Sequence, residues 1–300
     1  MNTRLIVVLP YCKNDLPLVT KLLGWIKDLG DACKDHALLL IGDNEVPKEQ
    51  RLDLKRTAVN MFADVDGRGA TVPKDALPAD EMAKKHMLAN RMFVAGATAV
   101  SQIFKGPFLW MEPDCVPITR DWLTRLATEY EEGFRPYMGS VITTDPKLNR
   151  ETMPPQFMAG CGIYPNNAIL GLQEFCGGTL AWDVAAARYM VPRTHATGSI
   201  QHYWGDVGKP PSFVTVRTGN EGPNVFTPDF VTERAVLFHR CKDGTLIDVL
   251  RAQAATDGKL PGTRKFRMAS KTRGKMEIPE LAMATTDGPA HPETPATTSD

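Results

Sequence analysis

Leu5-Ile-Val-Val-Leu9 is an unbroken apolar run closed by Pro10. Without polar alternation, such a run suits a strand buried on both faces. Asn14 and Asp15 can then cap a helix, and Leu16, Val19, Leu22, Leu23, Ile26 and Leu29 recur at helical spacing as far as Gly30. The segment predicts a strand, a loop and a helix. Ala37 to Ile41 is a second apolar run, stopped by Gly42-Asp43-Asn44. A longer helix is predicted from Asp80, with Leu88, Met92, Ala95, Ala99 and Ile103 on one face, and Pro107 to Met111 forms a further apolar strand. Buried strands alternating with helices predict an α/β fold with a Rossmann-like, mostly parallel central sheet covered by helices on both faces.

After Trp122 the alternation weakens. Segments around Met138 to Thr144 and Met158 to Tyr164 are separated by Pro and Gly, so this half reads as mixed strands and loops built onto the sheet. All five Trp lie between Trp25 and Trp204, and Phe266 is the only aromatic residue after Phe238. One domain over residues 1–250 and a flexible tail over 251–300 are therefore expected. Lys259 to Lys275 carries seven Lys or Arg and no acid, whereas Met276 to Asp300 is rich in Pro, Thr, Ala and acid, a composition that cannot offset its ordering entropy.

With 43% apolar and 23% charged residues, the chain is neither disordered throughout nor collagen nor coiled coil. Lys plus Arg is 35 and Asp plus Glu is 35, so a polyanion would have to be met by a local patch. The six cysteines contain no C-x-x-C pair and suit buried thiols in a reducing cytosol. Pro10 and Lys13 interrupt the first apolar run before it could form a signal-peptide core, and no run approaches the ~18 apolar residues of a membrane span. A cytoplasmic protein without a membrane partner is expected.

Open α/β sheets bind ligands at the carboxyl ends of their strands. Three polar stretches fall there: Tyr11 to Asp15, Asp43 to Glu45, and Glu112-Pro-Asp114. Neither G-x-G-x-x-G nor a P-loop follows the first strand, which argues against a dinucleotide fold and a P-loop NTPase. Asp15 and Asp43 are equally readable as a helix cap and a turn residue. In Phe108-Leu-Trp-Met-Glu-Pro-Asp, two acids emerge directly from an apolar strand, and Pro113 biases Glu112 to extended geometry. Such a pair can hold a divalent cation, and the cation a diphosphate. Taken alone, the tripeptide is also a common turn.

Here the chain resembles the GT-A glycosyltransferases, a nucleotide-sugar-dependent family whose D-x-D motif follows a sheet strand. The resemblance runs from Leu5 to about Leu250 and includes the helix bearing Asn90 and Arg91 before Trp-Met-Glu-Pro-Asp, with Glu112 in place of the motif's first Asp. It implies that Tyr11, Asp15 and Asp43 contact the nucleotide, and that Asp114, with Glu112 indirect, holds Mn2+ or Mg2+. Lys84 and Arg91, seven apart on one helical stripe, could reach the diphosphate or be solvated helix charges. In Ala235-Val-Leu-Phe-His239-Arg-Cys-Lys242, His239 matches the family's returning metal ligand and Lys242 its basic residue for the diphosphate. Gly177 and Gly178 would let backbone approach the donor sugar, or form an ordinary turn. An inverting enzyme also needs a base for the acceptor hydroxyl, for which Asp206 comes first, then His202 and Asp183.

The resemblance thus implies metal-dependent transfer of a sugar from a UDP-sugar to a hydroxyl, with the mixed half facing the acceptor. More narrowly, Glu-Pro-Asp-Cys and the ending H-x-x-K-D-G-T-L-I resemble small phage-encoded transferases of hypermodified DNA. That implies 5-hydroxymethylcytosine or 5-hydroxymethyluracil in DNA as acceptor, in a host cytoplasm. The basic segment would then contact phosphates, and Tyr203 or Trp204 would stack on the base. The same fold acting on a polysaccharide or protein, and a non-catalytic nucleic-acid-binding module, stay open.

Overall fold

The computed structural model describes residues 3–145, 153–205 and 209–257. Asp206 and the basic and acidic segments after 257 lie outside the described residues. In chain order the elements are β1 (Ile6–Tyr11), α1 (Leu16–Leu29), β2 (Ala37–Asp43), α2 (Lys48–Ala58), β3 (Asp64–Ala70), α3 (Glu81–Ile103), β4 (Phe108–Trp110), β5 (Val116–Pro117) and α4 (Trp122–Gly133). There follow β6 (Tyr137–Thr143), β7 (Gln156–Tyr164), α5 (Ala168–Leu172), α6 (Trp182–Ala185), α7 (Ala187–Met190), β8 (Thr194–Ala196), β9 (Ile200–His202), β10 (Ser212–Phe213), β11 (Val225–Phe226), β12 (Leu237–His239) and α8 (Thr245–Asp257).

Among the described residues the main sheet has the order β3-β2-β1-β4-β7-β6-β8, and β7 alone runs against the rest. The α/β, mostly parallel expectation holds. Every residue of β1 and β2 is buried, which is why both read as apolar runs. Leu5, Val7 and Leu9 face a core shared with α1, α4 and α8, while Ile6 and Val8 face a second core shared with α3. Helices therefore cover both faces. On α3, Asp80 caps the first turn by accepting from the Ala83 amide (2.7 Å), and Gly96 admits Trp110, whose ring would lie 2.6 Å from any Cβ there.

Three elements depart from expectation. β3, Asp-Val-Asp-Gly-Arg-Gly-Ala, is an edge strand with exposed positions, so it carries no apolar run to reveal it. After Trp122 the pattern does not simply weaken: α4 buries Trp122, Leu123, Leu126 and Ala127 along one amphipathic face. α8 continues through residue 250 to Asp257, tied to α1 by Lys21–Asp248 (2.6 Å) and Arg251–Asp28 (2.8 Å). All six cysteines are free thiols. Among the described residues no helix is long and apolar enough to cross a membrane.

A small sheet, β5-β12-β9, decides where the site falls. β12 lies in its middle, antiparallel to β5 and parallel to β9, with His239 in register with His202. β5 immediately follows the turn containing Asp114, and the Cys241 amide donates to the Asp114 carbonyl (3.0 Å). The ends of β4, β9 and β12 thus meet.

Candidate metal centre

The Met111 amide donates to the Val8 carbonyl (2.9 Å), so β4 keeps its place in the sheet until the acids begin. The Cys115 amide then closes a turn onto the Glu112 carbonyl (3.0 Å), and Glu112 and Asp114 both leave from that turn. β12 brings His239 to them: its Nε2 lies 3.4 Å from Glu112 Oε2 and 3.3 Å from Asp114 Oδ1. The side chains of His239 and Asp114 are 5% and 9% exposed, and that of Glu112 is 43% exposed. Two ligating groups are buried and one faces solvent. Asp114 Oδ1 is buried and, among the described residues, has no hydrogen-bond partner. A buried carboxylate oxygen is costly to leave so, and a cation would satisfy it.

The ligating atoms of Glu112, Asp114 and His239 all lie within 4.8 Å of one another. Two hard carboxylates with one borderline imidazole fit Mn2+, and Mg2+ less well because it prefers oxygen. Burial raises the Asp114 pKa, but His239 above all, with Lys242 and His202, outweighs it and holds the carboxyl below its ordinary value. Burial likewise opposes charge on His239. Asp114 and then Glu112 prevail and hold that imidazole well above the usual range.

His202 Nδ1 lies 2.9 Å from His239 Nδ1, with the rings 4.6 Å apart at 74°. Burial, then the charges of His239 and Arg240, push the His202 pKa down to about 2, which suits a neutral hydrogen-bond partner of His239 better than a general base. The neighbouring Arg240 has φ of +86°, in the region L side chains rarely adopt, as the chain turns away after His239.

Asp183 sits in the first turn of α6, whose cap is Ala181, and its Oδ1 accepts from the Val184 amide (2.9 Å). Burial, then Glu112, push its pKa up to about 6. Gly160 on β7 separates the two acids: a Cβ there would lie 3.5 Å from Asp183 Oδ2 and 3.6 Å from Glu112 Oε1. Asn90, wholly buried on α3, holds the strand of chain leading to Asp183. Its Nδ2 donates to the Leu180 carbonyl (2.8 Å) and its Oδ1 accepts from the Trp182 amide (2.8 Å). On the inner side of His239, Cys115 and Cys161 lie with their sulfurs 3.3 Å apart. Burial, then Cys161, raises the Cys115 pKa well above normal, so the Cys115 thiol stays protonated.

At the ends of β1 and β2, Tyr11, Gly42 and Gly69 lie side by side in register. The buried Tyr11 hydroxyl has no partner among the described residues, and burial pushes its pKa up to about 12. Arg51 crosses the two glycines: a Cβ at Gly42 would lie 3.0 Å from its Cδ, and one at Gly69 2.7 Å from its Nη1. Nothing in the pattern of α2 marked Arg51 out. Asp43 Oδ1 accepts from the amides of Glu45 (3.1 Å) and Val46 (3.2 Å), and Asp15 Oδ2 from the Cys12 amide (2.8 Å). Lys84 pairs with Glu81 (3.4 Å), while Arg91 donates to the Pro73 and Asp75 carbonyls. Gly177 and Gly178 close a 3-10 turn, and no atom comes within 4 Å of a Cβ built at Gly177. Lys242 is exposed, three residues beyond His239. The structure brings together Glu112, Asp114, His239, His202 and Asp183, and turns Lys84 and Arg91 toward their own loop and helix.

No protein-family model and no curated protein matches the chain in sequence. Solved structures are similar to it at low identity. The crystal structure of S. aureus TarS is 13% identical over 84% of this chain and 39% of that one, with a TM-score of 0.39. The apo bifunctional glycosyltransferase WbbM is 11% identical over 80% and 46%, with a TM-score of 0.45. An active-site mutant of LgtC is 10% identical over 79% and 87%, with a TM-score of 0.48. The chain spans less than half the length of the first two.

Proposed function

We propose that this chain is a metal-dependent glycosyltransferase that moves a sugar from a nucleoside diphosphate, with UDP as the nucleotide, to a hydroxyl group. The reading rests on the cluster of Glu112, Asp114 and His239, whose buried Asp114 oxygen faces the His239 imidazole and accepts no well-formed hydrogen bond, at the carboxyl end of β4. That edge is where parallel α/β sheets receive ligands. When bound, Mn2+ or Mg2+ would offset the charge gathering on the departing diphosphate. Lys242, exposed and electrostatically felt at Asp114, is available to the same phosphates. The free hydroxyl of Tyr11 and the remaining acceptor capacity of Asp43 serve the nucleoside.

Asp183 is the base. With a pKa near 6 it is ionised at neutral pH yet basic enough to accept a proton. As the acceptor oxygen bonds to the anomeric carbon and the carbon–oxygen bond to the diphosphate breaks, the hydroxyl proton passes to the Asp183 carboxylate. The acceptor in this proposal is a hydroxymethylated pyrimidine in DNA. Trp204 supports it: the residue is 44% exposed, and its ring packs edge-on to Phe157 (5.5 Å) and lies 6.2 Å from the His202 ring, making an apolar ledge beside the cluster. A base withdrawn from its stack can lie on such a surface.

The test is incubation with a panel of nucleotide sugars, Mn2+ and 5-hydroxymethylcytosine DNA, followed by digestion to nucleosides and mass spectrometry. A hexose increment is expected with Mn2+ and not in excess EDTA. Transfer to oligosaccharide or protein alone would overturn the DNA acceptor. Absence of UDP binding by calorimetry, with or without Mn2+, together with absence of any transfer, would overturn the enzyme.

A further inference from the structure

We infer that His202 is a positioning residue that accepts a hydrogen bond from His239 Nδ1–H and so keeps the His239 Nε2 lone pair turned toward the two carboxylates. The inference rests on the metal-centre reading of Glu112, Asp114 and His239. Two Nδ1 atoms 2.9 Å apart are at hydrogen-bond distance, and such a bond needs a hydrogen on one nitrogen and a lone pair on the other. His239 Nε2 is the atom facing Glu112 and Asp114, at 3.4 and 3.3 Å. The carboxylates favour an imidazolium with hydrogens on both nitrogens, and a cation that binds through Nε2 would replace the hydrogen there and leave the other on Nδ1. His202 Nδ1 must then be the acceptor.

The backbone holds this pairing in place. β9 and β12 run parallel with His202 and His239 in register, and the Tyr203 amide donates to the His239 carbonyl (3.3 Å). Trp204 lies beside the His202 ring, with ring centres 6.2 Å apart and the planes tilted by 36°. The charged and titratable groups whose fields reach His202 are His239, Arg240 and Asp114. Without the acceptor, the hydrogen of His239 is free to move to Nε2, where it would stand between the ring and a cation. Outer-sphere partners of this kind typically change metal affinity by about 10–100-fold.

The experiment is Mn2+ titration of the full chain by electron paramagnetic resonance, which reads metal affinity without turnover. His202→Leu removes the acceptor, and His202→Asn, of nearly the same size, can present an amide oxygen close to the Nδ1 position. His202→Leu should weaken Mn2+ by about 10–100-fold, and His202→Asn should recover most of that loss, with circular dichroism of both variants matching the parent. Unchanged affinity in His202→Leu, or an Asn variant no better than Leu, overturns the inference while leaving the metal centre standing. No Mn2+ binding by the parent overturns the metal centre and this inference with it. Should both variants fail to fold, long-range proton–nitrogen spectra of the parent with Mg2+ decide the matter: Nδ1–H on His239 supports the inference, and an unprotonated Nδ1 overturns it.

Discussion

The acids at the ends of β1 and β2 differ from those at the end of β4 in what already satisfies them. Asp15 is engaged by the Cys12 amide and Asp43 by the amides of Glu45 and Val46, so each completes its own turn. Asp114 is as buried as Asp43, yet its Oδ1 has no such partner and meets instead an imidazole contributed by a distant strand. Local hydrogen bonding lowers the energy of a carboxylate without any ligand. A buried carboxylate left without it is costly unless a cation or proton arrives. Position at a strand end marks both classes; only the partner inventory separates them.

The largest effect that would break this comparison is at Asp114. Asp114→Asn should lower sugar transfer on the order of 10²–10³-fold, the scale of removing one key electrostatic group, with Mn2+ binding lost and the far-ultraviolet circular dichroism unchanged. Full turnover in that variant would return Asp114 to the class of Asp43.

Asp183 comes next. Asp183→Asn should cost about 10²-fold in turnover, the lower end for a lost base, and the parent's rate should rise with pH through about 6. The variant should also gain stability. Because the fold raises this pKa from 3.8 to about 6, the native state binds the proton more tightly than the unfolded chain. Stability therefore falls as pH climbs through that window and is level above it, a loss of up to about 3 kcal/mol. Solvent reaching this half-buried residue makes the loss smaller. Chemical denaturation at pH 4 and pH 7.5 reads it: the Asn variant should gain on the parent only at the higher pH, and equal differences at both would contradict the assignment.

Asp43 tests whether a carboxylate can hold its turn and a nucleotide together. Asp43→Ala should weaken UDP about tenfold, equivalent to about 1.4 kcal/mol, and lower stability by about 1–3 kcal/mol through the two stranded amides. Asp43→Asn keeps an acceptor for the turn and should restore stability more fully than affinity in paired calorimetry and melting. The smallest effect is at Asp15, where loss of one partly buried bond should cost about 0.5–1.5 kcal/mol. UDP affinity of Asp15→Ala should stay within about twofold of the parent, and a larger loss would move Asp15 from the turn to the nucleotide.

By itself the sequence determined the elements whose burial is symmetric. β1, β2 and β4 are covered on both faces and so appear as apolar runs, and α1 shows its buried stripe directly, whereas α3 buries Met92, Phe93, Gly96, Ala97 and Val100 and leaves Ile103 exposed, a face offset from the one the spacing predicts. It also determined that two acids leave the end of β4. It could not reveal β3, whose edge position frees it from apolar pattern, or the roles of Arg51 and Asn90, which depend on glycines and carbonyls from other elements. His239 was matched to a metal through family resemblance, but its approach to Glu112, 127 positions away, was decided by the pairing of β12 with β5 and β9. The same pairing put His202 against His239, and the packing of α6 on β7 put Asp183 near Glu112. A residue type states which protons and lone pairs are available. Whether they are already used depends on which other groups the tertiary fold brings within about 3 Å, because hydrogen bonds act only at that range.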